Sequence, residues 1–126
     1  MEQNEKLTST NIRYLLAIKS LADINQAVRN IYLANYLHYK KPSIHYMIKQ
    51  LESIGMIQKA DDNIICLTEK GADTAFRYQM YYSCLDRMLE QFFPEFKESE
   101  NAILALLAEI PEQELEKHLH EMAESE

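Results

Sequence analysis

Residues 28–68 read VRNIYLANYLHYKKPSIHYMIKQLESIGMIQKADDNIICLT, and the pattern of this stretch is the main indication of the fold. Apolar residues recur at three- and four-residue steps over 31–37 and again over 44–54, the spacing of helices that bury one face. Pro42 suits the first turn of the later helix, and Gly55 suits its end. The pattern predicts two helices joined by a short polar turn.

A β-hairpin is expected directly after these helices. Residues 56–59 and 64–67 are short strand candidates, and the Ala-Asp-Asp-Asn of residues 60–63 favours a turn between them. On the other side of the stretch, helical spacing over 12–22 predicts a first helix, and Asn30 is a natural N-cap for the second. The predicted order is helix, short extended segment, helix, turn, helix and hairpin.

The rest of the chain is predicted to be helical. Thr68 can cap a long fourth helix that Pro94 ends, and Pro111 opens a sixth. The fifth helix, around 102–108, is apolar on nearly every side, so it needs more cover than this short chain easily supplies. The long helix carries a seam of large side chains at three- and four-residue steps: Tyr78, Tyr81, Tyr82, Leu85, Met88, Leu89 and Phe92.

This order of elements is that of a winged helix-turn-helix. We therefore expect a mainly α fold with a small β-hairpin wing. A winged helix-turn-helix DNA-binding domain should occupy residues 1–70, followed by a helical dimerisation region over 71–126. A chain of 126 residues leaves no room for a second, independent enzyme domain.

The net charge of −7 is unevenly divided along the chain. Residues 1–60 carry eight Lys and Arg against four Asp and Glu, a net of +4, whereas residues 61–126 carry five against sixteen, a net of −11. Such asymmetry is typical of a segment that binds a polyanion joined to a solubilising one. The alternative is simply an acidic surface on the C-terminal helices.

The third helix has the chemistry of a recognition helix. Polar side chains flank its apolar stripe near the N-terminus, where the helix dipole also attracts anions. Hydrogen-bonding groups suit base edges and lysines suit phosphates. The acidic hairpin tip, Asp61 and Asp62, should add little affinity. The expected DNA-binding residues are Lys40, Lys41, Ser43, His45, Tyr46, Lys49, Gln50 and, beside the hairpin, Lys59.

Several segments together resemble a known family: residues 28–37, Pro42-Ser43-Ile44, Met47-Ile48, Leu51, Gly55-Met56-Ile57 and Leu67-Thr68-Glu69-Lys70-Gly71. They are similar to the diphtheria toxin repressor and manganese transport regulator family. The likeness continues through Arg77 and 85–92, which resemble the start of that family's dimerisation helix, and it covers about residues 8–93. The resemblance implies an iron-dependent repressor-like winged-helix regulator of transcription.

The family's metal ligands have no counterparts in this sequence. Metal-sensing members use acidic or sulfur ligands on the first helix, a His on the dimerisation helix and a Glu-x-x-Glu-His or Cys-x-x-Glu-His cluster beyond it. Here the first-helix region reads Thr10-Asn11-Ile12-Arg13, and the position of the family's His falls near Tyr82. The region of the later cluster is the largely apolar segment 102–108. His118 and His120 face apart on their helix, so they cannot chelate one ion together. We expect no metal cofactor, because these groups cannot replace carboxylates around a hard cation.

The helical half is expected to form a homodimer. Because Tyr81 and Tyr82 are adjacent, both cannot face one core. One of them therefore faces a second surface, which is either a dimer interface or a crevice for an unidentified small-molecule effector. The expected partners are double-stranded DNA and a second copy of the chain. The expected dimerisation residues are Tyr78, Tyr82, Leu85, Leu89, Phe92, Ile103 and Leu107.

Other functional classes fit less of the sequence. No glycine-rich phosphate loop, nucleophile elbow or zinc-protease motif is present, so we expect no enzyme. A winged helix used for protein interaction stays open. So does a ligand-responsive regulator of the multiple-antibiotic-resistance type, which shares residues 67–71 but usually has a longer, Arg-bearing wing. A polar N-terminus and the lack of a long apolar stretch predict a cytoplasmic protein with no membrane contact.

Overall fold

The structure is a computed structural model that describes residues 6–24 and 27–124, except for the side chains of residues 120–124. The described residues form helices and one antiparallel hairpin, which confirms the mainly α fold with a β-hairpin wing. No helix within them is long and apolar enough to cross a membrane. The elements are α1 Ser9–Asp23, α2 Asn30–Leu37, α3 Lys41–Ser53, β1 Ile57–Lys59, β2 Ile65–Leu67, α4 Glu69–Phe92, α5 Ser99–Glu109 and α6 Glu112–Glu124.

The chain divides into two compact units. One is Arg13–Phe76, which contains α2, α3 and the hairpin. The other consists of the described parts of Met1–Ile12 and Arg77–Glu126. The DNA-binding and dimerisation regions, with their division at residue 70, stay a prediction.

The helix-turn-helix consists of α2, packed on α3, and the turn between them. His38 ends α2 in the left-handed conformation, with φ of 60°, and Pro42 lies in the first turn of α3 as expected. The N-cap of α2 is Arg29 and not Asn30. The backbone explains the difference, because the carbonyl of Val28 accepts the N–H of Ile65 at 2.7 Å and holds this segment extended.

The wing is a hairpin in which Ile57 pairs with Leu67 and Lys59 with Ile65. Each strand is one residue shorter than the sequence predicts. Asp62 and Asn63 at the tip have φ of 68° and 59°. Asp and Asn tolerate this left-handed region better than most residues, which explains why the tip has this composition.

The segment Thr-Glu-Lys-Gly joins the wing to α4. Thr68 Oγ1 accepts the N–H of Gly71 at 3.0 Å, which confirms it as the N-cap, and it donates to the carbonyl of Gly55 at 2.6 Å. Lys70 Nζ donates to the C-cap carbonyl of α3 at 2.9 Å. A Cβ on Gly71 would lie only 1.8 Å from the carbonyl oxygen of Met56, so this position has no space for a side chain. The segment therefore fixes the end of α3 to the start of α4.

In the other unit, an ion pair joins α4 to the first turn of α6. Arg77 Nε lies 2.6 Å from Glu112 Oε2, and the hydroxyl of Tyr81 donates to the same oxygen at 2.9 Å. Tyr78 packs edge-on against Tyr81, with ring centroids 5.2 Å apart. Two causes raise the pKa of Tyr78 to about 12: burial, which is the larger, and the nearby Glu112 carboxylate. Burial and the hydrogen bond to Glu112 also raise the pKa of Tyr81, so both phenols stay neutral at physiological pH.

Candidate nucleic-acid interface

The core stripe of α3 determines which of its side chains face outward. Ile44, Ile48 and Leu51 are fully buried, and Met47 is nearly so. The positions between them project from the unit, and Tyr46 is 67% exposed. We call the following residues the reading face: Ser43, His45, Tyr46, Lys49 and Gln50. All of them are exposed except Gln50, which is half-buried.

The N-terminus of α3 is open and positively charged. Lys40 is the N-cap residue, and its side chain makes no capping hydrogen bond. Lys40 and Lys41 are both exposed. Two ammonium groups beside the free N–H groups of a helix N-terminus make this end favourable for phosphate oxygens.

The sequence through α2 and most of α3 carries charge of one sign only. The sequence contains no Asp or Glu between Asp23 and Glu52. Over the same stretch it carries four fixed cations, which are Arg29, Lys40, Lys41 and Lys49. This segment therefore provides an attractive surface for a polyanion although the whole chain is acidic.

The wing adds one exposed cation and a partly neutralised tip. Lys59 is exposed on β1. At the tip, Arg29 Nη2 lies 3.0 Å from Asp62 Oδ2, and its Nε donates to the carbonyl of Asp62 at 3.4 Å. The ion pair compensates one of the two acidic charges that the sequence places there. Sequence reasoning missed Arg29, because nothing local indicates a partner 33 positions away.

The expected dimerisation residues differ widely in exposure. Ile103 and Leu107 are fully covered within a single chain, and Tyr78 and Leu85 are also buried. Leu104 is likewise covered, so the expectation that α5 needs cover from a partner applies only to Leu106, at 38% exposure. Tyr82 and Leu89 are half-buried, whereas the end of α4 and the turn after it expose three aromatic rings, Phe92, Phe93 and Phe96.

At the α1 positions that the sequence resemblance matches to metal ligands, the side chains make other contacts. Asn11 Oδ1 accepts the N–H of Thr8, whose Oγ1 accepts the N–H of Asn11, both at 3.0 Å. This pair caps α1, and the neighbouring Ile12 is fully buried. Among the described side chains, no three His, Cys, Asp or Glu lie close enough together to hold a metal. His120 lies outside the described side chains.

A cleft of about 320 Å³ opens beside the Arg77 and Glu112 ion pair. Tyr78 and Glu112 contribute to its wall, together with apolar residues of the turn between α5 and α6. Lys6 and Glu109 lie at its exposed edge, with Nζ and Oε2 3.9 Å apart. The volume is at the lower end of the range for small-molecule sites.

Solved structures of other proteins share this fold. The metal-dependent transcriptional regulator MtsR matches with a TM-score of 0.77 at 18% identity, over 94% of this chain and 55% of that one. The manganese regulator SloR matches with a TM-score of 0.72 at 18% identity, over 87% of this chain and 53% of that one. IdeR of T. acidophilum matches with a TM-score of 0.69 at 15% identity, over 98% of this chain and 56% of that one. The winged-helix fold implied by the sequence resemblance is thereby confirmed.

This chain spans just over half the length of those three regulators. No protein-family model matches the sequence, and a search of curated proteins finds no match either.

Proposed function

We propose that this protein is a DNA-binding transcriptional regulator that acts as a homodimer on a palindromic operator. The observation that carries the proposal is α3, a helix whose exposed side carries polar, aromatic and basic groups. It belongs to a winged helix-turn-helix, a motif that places this helix in the major groove. The fold shared with transcriptional regulators supports the same function.

The side chains around α3 divide into two roles. Ser43, His45, Tyr46 and Gln50 present hydrogen-bonding groups to base edges, and Gln50 must move outward to do so because it is half-buried. Lys40, Lys41, Lys49 and the wing's Lys59 hold backbone phosphates. The first group gives sequence preference, and the second gives affinity that depends on salt.

Dimerisation is assigned to the helical half. Exposed apolar side chains on a small chain indicate a contact surface, and Phe92, Phe93, Phe96 and Leu106 are all exposed. A twofold dimer through this region, with Tyr82, Leu89 and Phe92 in or near the contact, would present two copies of α3 to two half-sites.

Regulation is proposed to be independent of divalent metal. At the matched positions of α1, Asn11 caps the helix and Ile12 lies in the core. Neither Tyr82 nor residues 102–108 supply a carboxylate, imidazole or thiol, so manganese or iron has no donor set there. The cleft beside Tyr78 is the candidate site for a small-molecule effector instead. Binding to a selected operator duplex should therefore be the same with manganese, iron or a chelator. A sharp gain in affinity that the chelator reverses would contradict this.

The proposed function is tested by selecting duplexes from a random pool and measuring binding of the winners. We expect retention at low salt, loss as salt rises, and enrichment of an inverted repeat. Sedimentation should show a dimer at micromolar concentration. A stable monomer that binds no duplex at low salt would contradict the proposal and favour a winged helix used for protein interaction.

A further inference from the structure

The first helix of the helix-turn-helix carries two exposed tyrosines that the role of α3 does not explain. Tyr32 and Tyr36 lie one turn apart on α2 and are 39% and 50% exposed. The other side of α2 buries Leu33 and Ala34. We call Tyr32 and Tyr36 the tyrosine face. Large aromatic side chains left outside the core of so small a unit mark a contact surface.

The surroundings of the tyrosine face favour an anionic partner. It lies within the stretch between Asp23 and Glu52 that contains no acidic residue, and Lys40 and Lys41 follow it directly. The exposed tyrosines all fall in this stretch, whereas those of α1 and α4 are buried or half-buried. The exposed ones are Tyr32, Tyr36, Tyr39 and Tyr46. A phenol on such a basic surface is a neutral donor for a phosphate oxygen.

We propose that the tyrosine face is a second DNA contact, in which the hydroxyls of Tyr32 and Tyr36 donate hydrogen bonds to backbone phosphates beside the groove that α3 enters. The inference rests on the proposed function, because it requires α3 to lie against duplex DNA. In a helix-turn-helix, the helix that precedes the recognition helix crosses the sugar-phosphate backbone, and α2 holds that position.

This contact has a signature that separates it from the lysines. A hydroxyl carries no charge, so its hydrogen bond adds affinity but displaces no condensed counterion. Removing it should shift the plot of log affinity against log salt downward without changing its slope. Removing Lys41 should instead flatten the slope by about 0.9 per bound protomer. Because phosphates are the same at every site, the loss should be equal on specific and scrambled duplexes.

The test compares Tyr32→Phe, Tyr36→Phe and the double variant by fluorescence anisotropy at several salt concentrations. Phenylalanine keeps the ring and removes only the hydroxyl. Each single variant should bind about three- to tenfold more weakly, and the double variant at least about tenfold more weakly. Tyr14→Phe is the matched control, because it makes the same change at a fully buried ring of the same unit. It should bind DNA like the parent.

Three outcomes would overturn the inference. If Lys41→Ala weakens binding and both Phe variants bind like the parent, the tyrosine face is not a DNA contact, although the proposed function stands. A second outcome is that Phe variants bind DNA like the parent, Ala variants of the same tyrosines bind more weakly, and single-stranded DNA competes for the protein better than a duplex does. The rings then stack on bases, and the hydroxyls hold no phosphate. If neither the lysine nor the tyrosine variants change binding, the proposed function fails as well.

Discussion

Replacing Gly71 by Ala should disrupt the joint between the wing and α4. The added Cβ would lie 1.8 Å from the carbonyl oxygen of Met56 and 2.7 Å from its carbonyl carbon, and both are backbone atoms. The same oxygen accepts the N–H of Thr68 at 3.0 Å, so moving it weakens the bond that closes the hairpin onto α4. We expect the free energy of unfolding to fall by about 3 kcal/mol, the upper part of the range for overpacking.

The loss is large enough to measure by thermal unfolding. An unfolding entropy of about 2.1 cal/mol/K per residue means that 3 kcal/mol lowers the Tm of a chain of this length by about 11 °C. Gly55→Ala is the matched control, since its nearest neighbour, Lys70 Cδ, is 4.0 Å away and only its φ of 80° resists a side chain. It should cost about 1 to 2 kcal/mol. A Gly71→Ala variant as stable as the parent would refute the close contact.

Three further predictions follow from single side chains. Asp62→Asn should release Arg29 for a phosphate. The slope of log affinity against log salt for a scrambled duplex should then steepen by about 0.9 per bound protomer, and an unchanged slope would contradict this. Tyr14→Phe should raise the free energy of unfolding, measured in urea, by about 1 kcal/mol, because the buried hydroxyl of Tyr14 makes no hydrogen bond to any described atom. A fall of about 1 kcal/mol in the free energy of unfolding would instead show that the hydroxyl has a partner. Burial raises the pKa of Tyr14 and Tyr78 to about 12. The folded state keeps these phenols neutral, whereas the unfolded chain ionises them above about pH 10. The urea concentration at the unfolding midpoint should therefore stay constant up to about pH 10 and fall as the pH rises towards 12. A midpoint that does not change over this range would contradict the prediction.

The order of elements could be predicted because each element has a local signature. The stripe from Ile44 to Leu51 indicated a helix by its spacing, and Thr68 indicated a helix start by its hydroxyl. The ends were less predictable. Asn30 is a good N-cap by residue type, but the hydrogen bond between Val28 and Ile65 fixes the backbone so that Arg29 takes that place.

The candidate site was predictable only where one helix defines it. Burial of one face of α3 determines which side chains point outward, so Tyr46 and Lys49 could be expected at the surface. The pair between Arg29 and Asp62 could not, because two residues far apart in sequence meet only in the folded unit. The cover of Ile103 also depends on tertiary packing, which the pattern of one helix does not contain.

If α3 holds DNA through its lysines, the salt dependence of binding must change when those lysines are removed. The measurement compares the parent, the double variant Lys41→Ala with Lys49→Ala, and the control Lys117→Ala, which removes an exposed cation from the acidic half. We expect the double variant to flatten the slope of log affinity against log salt by about 1.8 per bound protomer, and the control to leave it unchanged. Equal slopes for all three proteins would contradict it.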